Sequence, residues 1–487
     1  MLFSSWQFIL LFLPLTVATY FALNAMGWHV AGQVFLVVAS LFFYSYWNPE
    51  YLPLILASIF LNFAFGNALA RLSEPSSRKA VLTAAIIANL AALGYYKYTD
   101  FLITNVNTIF GVAIAPMHIA LPLAISFFTF TQIVYLIDSY RGETGHYNIL
   151  RYMLFVLFFP HLIAGPIVQH KQIMPQFASP DTWLPRYSNL VRGLCLFAIG
   201  LFKKVVIADG FAIWADRGFD GGQALNFYEA WATSLSYTFQ LYFDFSGYCD
   251  MAIGASLLFN IRLPINFNSP YKALDIQDFW RRWHITLSNF LRDYIYIPLG
   301  GGRVSSARIY LNIAVTFLLG GLWHGASWMF VIWGALHGGA LIVCRIWKGA
   351  GLRLPTPFAW LVTFLFVNMA WVFFRARTMD DAIRVLSGMA EIRSMFYDDL
   401  AGTPTRDLAW AGRLADTLLV FLPTSIMGSL VPLSAVAAGF VLIGTRNAIE
   451  LTRSLNSWHV LSYSLLFAIS IQFVLAKPSI VFLYFNF

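Results

Sequence analysis

Residues 307–347 read ARIYLNIAVTFLLGGLWHGASWMFVIWGALHGGALIVCRIW. They hold two apolar runs, 307–324 and 326–347, each close to the ~20 residues a helix needs to cross a bilayer. An imidazole, His324, closes the first run, and another, His337, lies inside the second. A ring that titrates near neutral pH is costly to place in hydrocarbon, so each marks a candidate functional position. Gly320, Gly321 and Gly325 flank His324 and let backbone or substrate approach it closely. On one unbroken helix His324 and His337 would be turned about 220° apart and separated by about 20 Å. They therefore form no pair on a regular helix. Either the helix breaks at Gly325, or one ring is reactive and the other is packed and hydrogen-bonded.

The same reading extends outward through the chain. Only 11% of the 487 residues are charged and 59% are hydrophobic, against roughly 25% charged in a soluble domain. This predicts an all-α polytopic membrane protein. Further spans are expected near 6–23, 30–47, 51–70, 80–97, 119–138, 188–207, 229–258, 357–375 and 459–476, with 415–445 as one more broken by Pro423 and Pro432. That gives about 10–12 crossings. The stretch from Trp6 to Leu23 has no basic residue ahead of it and is read as a retained first span. The apolar segment 150–170 carries Pro160, His161, Gly165 and Pro166, and is expected to be re-entrant.

Basic residues in short connections set the orientation. Arg71, Arg78 and Lys79 join the third and fourth spans, and Arg141 and Arg151 flank another connection. Both are cytoplasmic if the N-terminus is outside, which places a 98–117 loop outward. The connection 262–308 carries Arg262, Lys272, Arg281, Arg282, Arg292, Arg303 and Arg308 and is cytoplasmic by the same rule. Within it Phe279, Trp283, Leu287 and Phe290 recur at helical spacing, predicting a helix in the membrane interface. An amphipathic piece is expected near Asp381–Met389 and a turn at Gly402-Thr403-Pro404. The net charge of +8 is accounted for by these connections and implies no nucleic-acid partner. Cys195, Cys249 and Cys344 are scattered and read as small core residues.

Two further constellations could carry chemistry. Tyr237, Gln240, Asp244 and Tyr248 fall at spacings of three and four, one polar stripe on an apolar helix. Asp244 must be paired, protonated or hydrated there. It is either bonded to an Arg or Tyr of a neighbouring helix, or lines a polar tunnel and orients an imidazole. The basic segment Trp280-Arg281-Arg282-Trp283-His284 either anchors the protein at the headgroups or forms a cytoplasmic mouth that grips a phosphorylated donor. No phosphate-binding glycine loop, dinucleotide fingerprint, serine-hydrolase elbow or His-rich metal spacing is present, so no metal is expected. The remaining chemistry is general-base activation of a hydroxyl, or proton coupling in a polysaccharide or lipid-linked sugar transporter.

Several ordered runs resemble the membrane-bound O-acyltransferase family, in particular its bacterial alginate O-acetylase branch. They are 159–166 (FPHLIAGP), 240–248 (QLYFDFSGY) with 250–254 (DMAIG), 266–268 (NFN), 279–285 (FWRRWHI), 291–294 (LRDY) and 319–326 (LGGLWHGA), together with Phe3-Ser4-Ser5 and 371–375 (WVFFR). The resemblance covers residues 1–376 as a transmembrane acyltransferase core. Residues 377–487 match weakly and hold the amphipathic segment and two or so further spans. What the resemblance implies is a ring of tilted helices around a through-membrane tunnel, with re-entrant pieces. His324 aligns with the family's catalytic histidine and His284 with its second signature position. Asp244, Tyr248, Gln240, Trp323 and His337 are then expected to support the tunnel, and Arg281, Arg282 and Trp283 the donor mouth. No bound cofactor is implied. The expected donor is acetyl-CoA or another acyl thioester from the cytoplasm, and the acceptor is an exported polysaccharide, reached directly or through a periplasmic acetyltransferase. The expected location is the bacterial inner membrane.

Overall fold

A computed structural model describes residues 1–46, 48–144, 147–392, 424–476 and 482–483. Among these residues the chain is helical and contains no strand. A π-helical turn, Gln7–Phe12, leads into α1 (Leu13–Ala25), followed by α2 (His29–Ser45), α3 (Leu52–Arg71), α4 (Pro75–Phe110) and α5 (Ile125–Tyr140). Three short helices follow, α6 (Ile149–Leu157), α7 (Phe159–Leu162) and α8 (His170–Ala178). Next, α9 (Tyr187–Phe202) passes through a second π-helical turn, Lys203–Ala208, into α10 (Asp209–Asp220), and α11 (Phe227–Leu257) returns against it. The 262–308 connection contributes α12 (Ile276–Arg282) and α13 (Ile285–Leu291). The hairpin of α14 (Ser306–His324) and α15 (Trp328–Gly349) comes next, then α16 (Thr356–Arg375) and α17 (Met379–Ala390). The C-terminal part supplies α18 (Thr424–Gly444), α19 (Ala448–Leu451) and α20 (Ser457–Ala476).

Seven helices among the described residues are long and apolar enough to cross a membrane: Gln7–Ala25, Pro49–Arg71, α4, α14, α15, α16 and α20. The other expected spans also form helices, but of a different kind. α2 has 17 residues, and α5 and α9 have 16 each. α11 has 31 residues and is buried along nearly all of them, and it is rich in Ser, Thr, Asp and Gln. α11, wrapped by other helices, does not face lipid, so uniform apolarity is not required of it. The Gly402-Thr403-Pro404 turn and Pro423 lie outside the described residues. Pro432 is inside α18.

Three local expectations are tested directly. Residues 98–110 are not a loop: α4 runs unbroken for 36 residues, about 54 Å, and ends only where Gly111 adopts φ 65°. Its polar residues fit a helix because Thr99, Thr104 and Thr108 bond back to carbonyls four positions earlier. The 150–170 segment does break: α6 has nine residues and α7 four, too short to cross, and residues 158–168 are all buried. Its backbone is satisfied by other elements, with Phe159 N donating to Ser40 Oγ at 3.1 Å and Ile167 N to Thr286 Oγ1 at 3.0 Å. The 279–290 stretch is two helices rather than one interfacial helix. Phe279, Trp283, Leu287 and Phe290 are buried in protein instead of facing lipid. The break falls at His284, whose φ of 42° is left-handed.

The pairing of α9 with α11 forms the centre of the fold. Gly193 meets Gly254 and Gly200 meets Gly247 across an antiparallel crossing. A Cβ on Gly200 would lie 2.6 Å from Gly247 O, and one on Gly247 would lie 2.7 Å from Gly200 O. Small residues let the two backbones touch. The same interface is pinned by buried ion pairs from the second π-helical turn: Lys203 to Asp250 at 2.7 Å, and Lys204 to Asp244 at 2.9 Å and to Asp209 at 2.6 Å. Such turns re-aim side chains by one position, and this one presents two successive lysines to α11. Because the clash would be with backbone, Gly247→Ala is expected to destabilise the protein by about 1–3 kcal/mol. Gly210→Ala, where an added Cβ meets nothing within 4 Å, should cost nothing. Thermal unfolding of the two variants in detergent compares them, and equal midpoints would contradict the close crossing.

Candidate active site

His324 is the last residue of α14. Gly325 follows with φ −167°, and α15 starts three residues later, capped by Ser327 accepting from Met329 N at 3.2 Å. The helix break therefore puts His324 and His337 on different helices. The His324 side chain is buried against Trp323, Trp333 and Phe374, with ring centroids 5.0, 5.0 and 5.1 Å away. Its centroid is 6.4 Å from that of His284. The backbone end of α14 is held from α4 and α5. Tyr98 donates to Leu322 O at 2.7 Å. The Lys97 ammonium donates to Trp323 O at 2.6 Å, His324 O at 3.3 Å and Ser126 Oγ at 3.2 Å.

His284 sits at the α12–α13 junction, fully buried. The preceding chain is stitched to that junction, with Asn268 N donating to Arg282 O and Ile285 N to Asn266 O. Asn266 then fixes the imidazole. Its Oδ1 accepts from Thr286 N at 3.2 Å and from Thr286 Oγ1 at 3.0 Å, and lies 3.1 Å from His284 Nδ1. A backbone N–H can only donate, so the atom facing it is the amide oxygen and Nδ1 carries the proton. In the neutral ring Nε2 is therefore the basic nitrogen.

One cavity reaches the His324 ring, and a second is lined by Ile285, the residue after His284. The first, of about 170 Å³, is lined by Asn48, Tyr51, Lys97, residues 121–127, Trp323 and His324. By the positive-inside orientation its rim, at 48–51 and 121–124, faces outward. The other, of about 590 Å³, is lined by Arg281, Arg292, Arg345 and Lys348 together with Trp280, Ile285, Leu291 and Phe317. It is lined largely by the basic 262–308 connection, which the positive-inside rule assigns to the cytoplasm. Its volume suits a small-molecule ligand, and four cations on one wall suit phosphate. Lys348 is also paired with Asp275 at 2.9 Å, and Arg292 with Asp293 at 2.6 Å.

The remaining expected site residues fall in several places. Trp323 packs on Phe127 and Phe130 and lines the outward cavity. His337 is packed among Trp280, Trp333 and Phe279 and accepts from Trp280 Nε1 at 3.2 Å. Asp244 is the ion-pair partner of Lys204 and also accepts from Leu483 N at 3.0 Å. The structural pairing considered for it is thus present, to a lysine rather than an Arg or Tyr. Tyr248 is stacked between Phe3 and Phe482, and Gln240 is buried. Of the three donor-mouth residues only Arg281 lines the basic cavity. Arg282 donates its Nε–H to both carboxylate oxygens of Asp278 at 2.9 and 3.0 Å, and Trp283 is buried between Phe279 and Trp371. The sequence reading assigns no role to Lys97, Lys204, Arg345 and Lys348, and includes Asn266 only as part of the 266–268 run. Lysines buried at the ends of apolar runs were the available signal for Lys97 and Lys204.

The membrane-bound O-acyltransferase family model matches residues 10–379. Over its whole length the chain is 45% identical to the "Peptidoglycan O-acetyltransferase" of Helicobacter pylori, covering 98% of that protein. It is 39% identical to the "Probable alginate O-acetylase AlgI" of Azotobacter vinelandii, over 88% of this chain and 85% of that one. A more distant likeness, 28% identical over 52% of this chain and 69% of the relative, is to the "Teichoic acid D-alanyltransferase" of Bacillus subtilis. A helical bundle buries two neighbouring histidines, one of them lining a cavity, the family model spans most of the chain, and a relative matches it end to end. On these grounds the chain belongs to the membrane-bound O-acyltransferase family and is a multi-pass O-acyltransferase.

Proposed function

We propose that this enzyme moves an acetyl group from a cytoplasmic thioester, acetyl-CoA, to a hydroxyl of an exported cell-envelope polysaccharide, from a position in the bacterial inner membrane. The observation that carries the reading is the placement of two buried imidazoles 6.4 Å apart, one of them lining a cavity. His324 lines the outward cavity, and Ile285, next to His284, lines the basic one. The donor's phosphates bind Arg281, Arg345 and Lys348, and the pantetheine arm points between Trp280, Leu291 and Phe317 toward the rings. The acceptor hydroxyl enters from the outward side.

In the transfer, the hydroxyl oxygen attacks the thioester carbonyl carbon while His324 takes its proton. The tetrahedral intermediate then collapses, the C–S bond breaks, and the thiolate leaves with a proton returned from the imidazolium. With Nδ1 of His284 donating to Asn266, its Nε2 offers a lone pair rather than an N–H. That supports proton relay by His284 rather than polarisation of the thioester carbonyl. The acceptor is peptidoglycan rather than alginate. The peptidoglycan-modifying relative matches all of this chain, including the C-terminal hundred residues, whereas alginate relatives match 80–88% of it. The polysaccharide is reached either directly or through a periplasmic acetyltransferase or acyl-carrying protein, whose own hydroxyl then enters the outward cavity and which hands the group on.

Purified protein supplied with radiolabelled acetyl-CoA and a soluble hydroxyl acceptor should transfer label. His324→Ala should lower the rate by about 10²–10⁴. Unchanged transfer would remove the general-base role. Arg281→Ala combined with Arg345→Ala should raise the donor KM with kcat nearly unchanged, as for uniform binding groups. An unaltered KM would move the donor site elsewhere. In cells lacking the gene, alkali-labile acetate should fall in purified cell wall and stay constant in secreted polysaccharide, and the reverse would favour an exopolysaccharide acceptor.

A further inference from the structure

The end of α14 is capped from outside its own chain segment. A helix leaves its last four carbonyls without intrahelical donors. Here Gly325 is extended rather than left-handed, so the chain does not fold back to cap them with its own amides. Two consecutive residues of α4 do so instead. Tyr98 Oη donates to Leu322 O, and Lys97 Nζ donates to Trp323 O and His324 O. A cation at this position also suits the negative end of the helix dipole.

Lys97 lines the outward cavity beside His324, and a cation there could be read as a ligand for an anionic substrate. The hydrogen-bond count argues otherwise. An ammonium has three N–H donors, and Trp323 O, His324 O and Ser126 Oγ take all three. Ser126 belongs to α5, whose Phe127 and Phe130 pack on the Trp323 ring with centroids 5.3 Å away in each case. One side chain thus ties α4, α5 and the last turn of α14 together at the residue that bears the reacting imidazole.

We infer that Lys97 is a positioning residue for acyl transfer: it fixes the last turn of α14, and through it the location of the His324 ring. This rests on the reading of His324 as the proton acceptor. Displacing a reacting group by an ångström can cost about 10²-fold in rate.

The test uses the full chain in nanodiscs and compares wild type with Lys97→Met, Lys97→Gln and Lys97→Arg. Hydrogen exchange of the 319–327 segment should quicken about tenfold or more in Lys97→Met, while 328–340 is unchanged, because only the α14 end loses its donors. Turnover with acetyl-CoA should fall about 10- to 100-fold in kcat, with the KM values for donor and acceptor within about twofold. Lys97→Arg, which keeps several donors, should recover most of the rate, and Lys97→Gln should fall between. If Lys97→Met does not fold, Lys97→Gln carries the same comparison. Unchanged exchange overturns the inference, as does quickened exchange with undiminished kcat. A loss confined to the acceptor KM would make Lys97 a substrate ligand instead. If His324→Ala kept full activity, the proposed function would fall while the exchange result still reported whether Lys97 holds the helix end.

Discussion

A helix that stops inside a protein must find donors for its final carbonyls, and α14 stops at its histidine. Everything at the site is arranged around that terminus. Gly325 continues the chain in an extended conformation packed against Phe330, Trp323 and Trp333 wall the ring in, and α4 reaches over with Lys97 and Tyr98 to satisfy the backbone. An unsatisfied carbonyl in a dry interior costs about 1–3 kcal/mol, so such an ending persists only with dedicated partners. The benefit is an imidazole at the floor of a cavity rather than part-way along a helix, where its reach would be limited by neighbouring turns.

The second histidine is built on a different plan. His284 occupies a left-handed backbone position at a helix junction and is oriented by one amide that also binds the next residue but one, Thr286. Left-handed conformations at non-glycine residues cost about 1–3 kcal/mol and survive where the surroundings over-determine them. Asn266 and Thr286 do that here. The ion pairs at Lys203 and Lys204 serve the frame rather than the chemistry. Together with the glycine contacts they lock α9 to α11, and α11 in turn carries Phe245, which packs edge-on against the His284 ring at 4.8 Å. The frame and the site thus meet in one helix.

Much of this was legible in the chain. Apolar runs located the helices because hydrocarbon and a tightly packed interior both demand them, and the prolines and glycine of 160–166 marked the broken segment correctly. The glycines around His324 pointed to the helix break. Other features had no one-dimensional trace. Phe279, Trp283, Leu287 and Phe290 keep helical spacing across a junction that is not helical, since an extended Trp283 and a left-handed His284 interrupt the helix while leaving the same side chains buried. Asp244 showed that a partner was needed but not which one, because Lys204 lies 40 positions away and looks like the end of a span. Lys97 is similar: a lysine near the end of a long apolar run reads as one that snorkels to the interface, and only the arrival of α14 from more than two hundred residues later gives it two of its three acceptors. Arg345 and Lys348 belong to a different helix from Arg281, so the shared basic wall exists only in the folded chain.

The central claim is that a thioester from the cytoplasmic cavity and an alcohol from the outward cavity meet at the His284–His324 pair. A structure of the enzyme with a thioether analogue of acetyl-CoA, in which a methylene blocks transfer, tests it most directly. The account predicts diphosphate density on Arg281, Arg345 and Lys348, with the analogue's carbonyl carbon beside the two imidazoles. Density for the carbonyl elsewhere, with both rings walled off from it, would contradict the account.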